Sequence, residues 1–306
     1  MAHGIAAVGE CMIELSSQGS SLWRMGYAGD TFNTLWAMRA LMPGHHVDYV
    51  SAFGDDPFSH GQIEFFKSHD IGIANSPILP GARPGLYAIT LSGAERAFTY
   101  WRSDAAARRL ADDPAALAKS LENRELIYFS GITLAILAEP ARRVFLDAVA
   151  KAREHGAHIA FDPNYRPKLW PDISAARTAI GEALAVTDIA LPTFPDEEML
   201  FGDQSMEATA RRLEHAGPAE VVVKNGDQPA LILHYGDTFE SPAIHVANPV
   251  DTTGAGDSFN GAYLAARLLG LAPADAAKRA HRVAATVVQV RGALAPFELL
   301  KMAFDR

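Results

Sequence analysis

A chain of 306 residues, 49% hydrophobic and 21% charged, is long enough to bury a substantial core as one large α/β unit or two modest ones. A formal net charge of -9, with no basic tract longer than pairs such as Arg108-Arg109 and Arg142-Arg143, argues against nucleic acid as a partner. The single cysteine, Cys11, excludes an intramolecular disulfide and a cysteine-rich zinc site, and no segment offers the ~20 apolar residues of a membrane-spanning helix.

Taken in chain order, Met1 to Glu10 lack the basic start and long apolar run of a secretion signal, so the cytoplasm is the expected compartment. They contain instead a first short buried strand, Ile5 to Val8. Cys11 to Leu15 and Ser16 to Gly29 predict β segments joined by a turn at Ser17-Gln18-Gly19. A helix over Thr31 to Leu41 follows, with Asp30 or Thr31 competent as its N-cap. The same residues support a sharper reading: Gly29 lets substrate hydroxyls approach the backbone, and Asp30 and Asn33, about one turn apart, bond them. A strand over Val47 to Ser51 and a helix over Pro57 to His69 come next. None of the eleven histidines falls in a His-Glu-x-x-His pattern.

Leu86 to Leu91 and Phe98 to Arg102 predict a second β pair, turning at Ser92-Gly93. Alternation along a strand sends Tyr100 and Arg102 to one face, where Tyr87 can join them; cross-strand aromatic packing accounts for Phe98 and Trp101. The segments from about 11 to 29 and 86 to 102 therefore predict a small β lid. Beyond it, strands over Leu126 to Phe129, His158 to Phe161, Ile189 to Leu191 and Val221 to Val223 are interleaved with helices over Pro140 to His155 and Ser174 to Ala185. This alternation predicts an α/β fold with a doubly wound, mostly parallel sheet flanked by helices, and residues 1–306 as one unit.

Ligands of such sheets sit beyond the carboxyl ends of the strands, where three motifs fall. In Asp162-Pro163-Asn164-Tyr165-Arg166 the polar side chains either face a ligand or form a turn with Arg166 in solvent. Thr193-Phe-Pro-Asp196-Glu197-Glu198 places acids at a helix start, which the helix dipole favours by itself; a role near magnesium is the other reading of Asp196. Lys224, before the hairpin signal Asn225-Gly226, faces either a nucleotide phosphate or water. Two arginines converging from different elements, Arg102 and Arg166, favour a carboxylate-bearing substrate, because guanidinium matches carboxylate with paired hydrogen bonds.

The densest signal is Asp251-Thr-Thr-Gly-Ala-Gly-Asp-Ser-Phe. Thr253, Gly254, Ala255 and Gly256 lack large side chains, so backbone N–H groups can converge on an anion at a helix start. A carboxylate repels phosphate, so Asp257 beside such a cradle reads as a base for an attacking hydroxyl, which is the chemistry of phosphoryl transfer. Neither the P-loop pattern nor an early Gly-x-Gly-x-x-Gly is present, which disfavours the two commonest nucleotide fingerprints.

That segment, Gly29-Asp30 with Asn33, and Val223-Lys224-x-Gly226 resemble the ribokinase-like carbohydrate kinases, also called the PfkB family, over nearly the whole chain. Within the family, Tyr100-Trp101-Arg102 with Ala105 to Arg108, Ser130 to Thr133, and Asp162 to Arg166 look like the 2-keto-3-deoxygluconate kinases. The resemblance implies Asp257 as base, with Gly254, Ala255 and Gly256 as the anion hole. It implies Gly29, Asp30, Asn33, Tyr87, Tyr100, Arg102, Ile132 and Arg166 around a sugar acid, and Asn164, Lys224, Gly226, Thr253, Gly254 and Gly256 around the nucleotide. ATP with Mg2+ and pairing of two copies through the lid are implied as well. One departure is visible: Thr193-x-x-Asp196 stands where relatives carry Asn-x-x-Glu, which shortens the carboxylate expected to position magnesium indirectly. The alternatives are a fructokinase or other neutral-sugar kinase of the same family, and a non-catalytic sugar- or nucleotide-binding regulator.

Overall fold

Gly4–Val8 is buried at every position, as a strand covered on both faces must be. Its alternation sorts the two layers: Ile5 and Ala7 enter one hydrophobic cluster, Ala6 and Val8 the other. The computed structural model describes residues 4–19, 21–92 and 95–306. Among these, a nine-stranded sheet runs in the order Asp237–Ser241, Ala230–His234, Glu220–Val223, Ile189–Ala190, His158–Asp162, Arg124–Ser130, Gly4–Val8, His46–Val50, Ile71–Gly72. Every pairing from Ile71–Gly72 to Glu220–Val223 is parallel, and the last two strands join antiparallel. Helices Asp30–Leu41, Ala255–Leu268 and Pro273–Val287 cover one face, and Glu139–Glu154, Ile173–Leu184 and Met206–Ala216 the other.

One local expectation differs. Gly29, not Asp30 or Thr31, occupies the N-cap of the first helix, and no side chain caps it. Both candidates are claimed elsewhere: the Thr31 hydroxyl lies 3.0 Å from that of Tyr49, and Asp30 accepts from Asn164. The hairpin expected at Asn225-Gly226 is present, with Glu220–Val223 antiparallel to Ala230–His234; residues 224–229 connect the strands, and Gln228 N–H donates to the Asn225 carbonyl at 2.9 Å. The two-residue edge strand Ile71–Gly72 is too short to leave a periodic signal.

A second sheet of four strands, in the order Trp23–Ala28, Met12–Ser17, Leu86–Ser92, Glu95–Trp101, stands over the carboxyl-end side of the main sheet. Gly93, assigned to its second turn, lies outside the described residues. Register places Glu14 opposite Tyr87 and Tyr87 opposite Tyr100, so the three share a face. Met12, Tyr87 and Ile89 on that face are buried in a cluster with Ala293 of the main body. The opposite face leaves Trp23, Met25 and Trp101 exposed.

Candidate active site

The turn before helix Ala255–Leu268 is shaped by Gly254, which is left-handed at φ 75°. A Cβ there would lie 2.9 Å from both Cβ and the carbonyl oxygen of Ala293, so the position is closed to other residues on two counts. Buried Asp251 ties the loop together, accepting from Thr253 N–H at 2.9 Å and Gly292 N–H at 2.8 Å. First-turn N–H groups of the helix have no intrahelical acceptor; Ala255 N–H meets the Thr252 carbonyl at 3.3 Å, and with the dipole the turn presents positive potential at Gly256. A cleft of about 650 Å³ opens beside this turn, between the lid and the body, lined in part by Glu14, Ile89, Thr253 and Ala293.

Asp257 sits in that first turn. Its Oδ2 accepts from Asn33 Nδ2 at 2.8 Å, and its backbone carbonyl accepts from the Thr34 hydroxyl at 3.1 Å. Both partners belong to helix Asp30–Leu41, which is brought close by Gly261. A Cβ on Gly261 would run into the Thr34 carbonyl oxygen and lie 2.8 Å from Ala37 Cβ. The carboxyl of Asp257 is pushed up to about 7, by burial first and by the charge of Asp30 second; the Asn33 hydrogen bond pulls it down, Asp162 raises it and Lys224 lowers it. A carboxylate titrating there is well matched to taking a proton near neutral pH.

Beneath Asp257 lies a buried polar network. Asp30 Oδ2 accepts from Asn164 Nδ2 at 2.7 Å, and Asn164 N–H donates to Asp162 Oδ1 at 3.0 Å. The other Asp162 oxygen accepts from Lys224 Nζ at 2.8 Å and Asn260 Nδ2 at 2.7 Å. Lys224 also donates to Asn260 Oδ1 at 2.8 Å, and Asn260 reaches the Tyr128 hydroxyl at 3.1 Å. Lys224 is only 7% exposed, and its ammonium meets Asp162 and Asn260 rather than water. Asn164, expected beside the nucleotide, donates to Asp30 from its side chain and to Asp162 from its N–H, in a buried turn. Asn260 escaped sequence reading, although its place one helical turn after Asp257 puts it on the same face.

On the lid, Tyr87 and Tyr100 have ring centroids 5.8 Å apart, and Phe98 lies 6.2 Å from Tyr87, so Phe98 extends the same aromatic face. The Tyr87 hydroxyl donates to Glu14. Arg102 stays on this side, 6.0 Å from the Tyr100 ring centroid, but it is not idle: it pairs with buried Glu10, whose carboxyl is raised by burial against the pull of Arg102. Arg166 is half-exposed and pairs with Asp196 at 3.1 Å; burial raises the Asp196 carboxyl and Arg166 holds it down. Both arginines thus carry a carboxylate partner already, which spacing did not reveal. Ile132 lies half-buried in the short helix Gly131–Ile136, which Ser130 and Thr133 close with a capping box. Gly29 N–H donates to Asn33 Oδ1 at 3.3 Å, and Gly226 is exposed in its turn at φ 59°. Among the described residues, no group of three or more His, Cys, Asp or Glu side chains is arranged to hold a metal ion.

A doubly wound sheet under a β lid, with a carboxylate beside a glycine turn at the strand ends, defines the ribokinase-like class of sugar kinase. The chain belongs to the pfkB family of carbohydrate kinases, whose model matches residues 2–299. It is 42% identical over 304 residues to the 2-dehydro-3-deoxygluconokinase of Dickeya dadantii (strain 3937), covering 97% of this chain and 98% of the relative. It is 40% identical over 308 residues to the 2-dehydro-3-deoxygluconokinase of Escherichia coli (strain K12), covering 98% of this chain and 99% of the relative. Among solved structures, one described as an E. coli ribokinase II in complex with ATP and Mg2+ shares the fold at a TM-score of 0.86, with 24% identity and 99% of each chain covered. No helix among the described residues is long and apolar enough to cross a membrane.

Proposed function

We propose that this protein transfers the γ-phosphoryl group of ATP to the 6-hydroxyl of 2-keto-3-deoxygluconate, the compound its relatives' names give as 2-dehydro-3-deoxygluconate. The observation that carries the reading is Asp257, hydrogen-bonded to Asn33 and set in the first turn after Gly254. Asp257 takes the proton of the 6-hydroxyl as that oxygen bonds to the γ-phosphorus; the bond from γ-phosphorus to the bridging oxygen breaks, and ADP leaves with that oxygen. N–H groups around Gly254, Ala255 and Gly256 offset the charge on the transferred group. Thr253 and Gly226 flank the nucleotide, and Gly29, Asp30, Asn33, Tyr87, Tyr100 and Ile132 surround the sugar. Mg2+ keeps water and phosphate ligands and needs few from protein, and Asp196 would act on it indirectly, through water. When bound, the ion neutralises phosphate charge.

Arg102 and Arg166 recognise the substrate carboxylate. Replacing either with Gln is expected to raise KM for the sugar acid ~10-fold or more while leaving a neutral ketose within about threefold, as loss of a charge-assisted hydrogen bond implies. An equal effect on both substrates would remove carboxylate recognition from the reading. A coupled ADP-release assay over sugar acids and neutral sugars tests the function as a whole; a preference for fructose reverses it.

Residues 1–306 act as one unit in the cytoplasm, and two copies pair through the outer face of the lid. The exposure of Trp23, Met25 and Trp101 on that face supports the pairing. Light scattering is expected to give a dimer mass, with Trp101→Glu shifting it toward monomer; a wild-type monomer at micromolar concentration removes the pairing.

A further inference from the structure

Where the first central strand gives way to the lid, Glu10 carries a carboxylate that solvent barely reaches: its side chain is 1% exposed, and that of its partner Arg102 is 11% exposed. The two residues stand at opposite ends of the lid, Glu10 just before strand Met12–Ser17 and Arg102 just after Glu95–Trp101. Both ends are fixed. Gly9 N–H donates to the Val50 carbonyl of the main sheet at 3.1 Å, and Ile13 N–H donates to the Gly85 carbonyl at 2.9 Å. A Cβ on Gly85 would run into Glu10 Oε1 and lie 3.3 Å from Arg102 Cβ, so the chain entering strand Leu86–Ser92 is shaped around the pair.

Hydrogen bonding within the pair is incomplete. Arg102 Nη2 donates to Glu10 Oε2, while Arg102 Nε and Glu10 Oε1 are buried without a hydrogen-bond partner. A guanidinium presents its N–H donors in one plane, so one that is held along one edge still offers donors to a second anion. Buried donors left unmet cost free energy until an acceptor arrives. We propose that Glu10 is a positioning residue for sugar-acid recognition: its buried carboxylate holds the Arg102 guanidinium at the foot of the lid, ready for the carboxylate of the substrate. The proposal rests on Arg102 recognising that carboxylate. Tyr100, with its ring centroid 6.0 Å from the guanidinium, marks the face of the lid on which the two anions share one cation. Glu10 touches no substrate and acts through Arg102 alone. Without the charge of Glu10 the guanidinium loses its fixed partner, and a long side chain regains the rotamer freedom that the ion pair removes. Recognition of the sugar acid then weakens, whereas proton transfer at Asp257 and binding of a neutral ketose do not depend on the pair.

Glu10→Gln keeps the shape of the side chain and removes its charge. It is expected to raise KM for 2-keto-3-deoxygluconate about tenfold, with kcat and the inhibition constant of fructose each changing less than about threefold, as loss of a charge-assisted partner implies. Because both residues serve one contact, adding Glu10→Gln to Arg102→Gln is expected to raise KM by less than about twofold more. An unchanged KM in Glu10→Gln, or losses that multiply in the double variant, overturns the proposal. So does a lowered KM, which would make Glu10 a competitor for the guanidinium, and so does an equal weakening of sugar acid and fructose, which would mark a structural role. If Arg102→Gln itself leaves the sugar acid unaffected, the recognition reading fails and the proposal with it; an effective Arg102→Gln beside a silent Glu10→Gln removes the proposal alone. Glu10→Asp retains the charge but draws it back by a methylene, so it is expected to raise KM about threefold, and it carries the same comparison should Glu10→Gln not fold.

Discussion

Asp257→Asn is expected to lower turnover by ~10²–10⁴-fold while substrate binding changes little, since general-base catalysis is worth about that much and the amide keeps the shape of the carboxylate. Rapid-quench or coupled ADP measurements at saturating substrate check it, and a loss below tenfold would sink the assignment. The pH profile offers a separate reading. A base must be ionised to accept a proton, so with Asp257 pushed up to about 7, kcat/KM should fall about tenfold per unit below that value and level off above it. The same displacement fixes the sign of a stability effect. A carboxyl whose folded value is raised binds its proton more tightly in the folded chain, so folding stability declines as pH rises from ~3.9, the unfolded value, through about 7, and the full penalty persists above that. Asp257→Asn should accordingly raise the melting temperature at pH 8 and leave it nearly unchanged at pH 4. A variant no more stable at pH 8 would mean that the carboxylate is not held against its own solvation.

Gly261→Val is expected to cost turnover ~10²-fold even though residue 261 touches no substrate. The added side chain meets the Thr34 backbone and Ala37, so helices Asp30–Leu41 and Ala255–Leu268 must separate. Separation stretches the 2.8 Å bond from Asn33 to Asp257 and the 3.1 Å bond from Thr34, and a displacement of ~1 Å at a reacting group is enough for a loss of that size. Overpacking should also remove about 1–3 kcal/mol of stability, readable as a lower urea midpoint at unchanged slope. Normal turnover in a destabilised variant would show that the helix pair supports the fold but not the base.

Much of the architecture was legible because buried parallel strands and amphipathic helices leave local patterns. Ile5 to Val8 and His158 to Phe161 could be assigned from a few residues each, and Tyr87, Tyr100 and Arg102 fell on one lid face by alternation alone. The Asp251 to Asp257 turn was legible for the same reason: its chemistry is written in consecutive residues. What stayed hidden depends on partners distant in sequence. Lys224 looks the same at a strand end whether its ammonium meets water or Asp162, 62 positions earlier. Arg102 reads as available until Glu10, 92 positions earlier, is found beside it. Helix propensity marks Gly261 only as a mild local weakness, because it counts the residue itself, whereas its effect lies in the helix it admits.

The bond between Asn33 and Asp257 joins residues 224 positions apart, and this has a consequence for synthesis. At ~5–20 residues per second, on the order of 10–45 s separate the emergence of the first helix from that of the helix that covers it. During that interval Phe32, Leu35 and Trp36, buried in the finished protein, have no final partner on the C-terminal side. The emerging chain is therefore a natural client for a chaperone that shields apolar surface. It also lacks its base until nearly everything else has been made, so an incomplete chain has no means of discharging ATP.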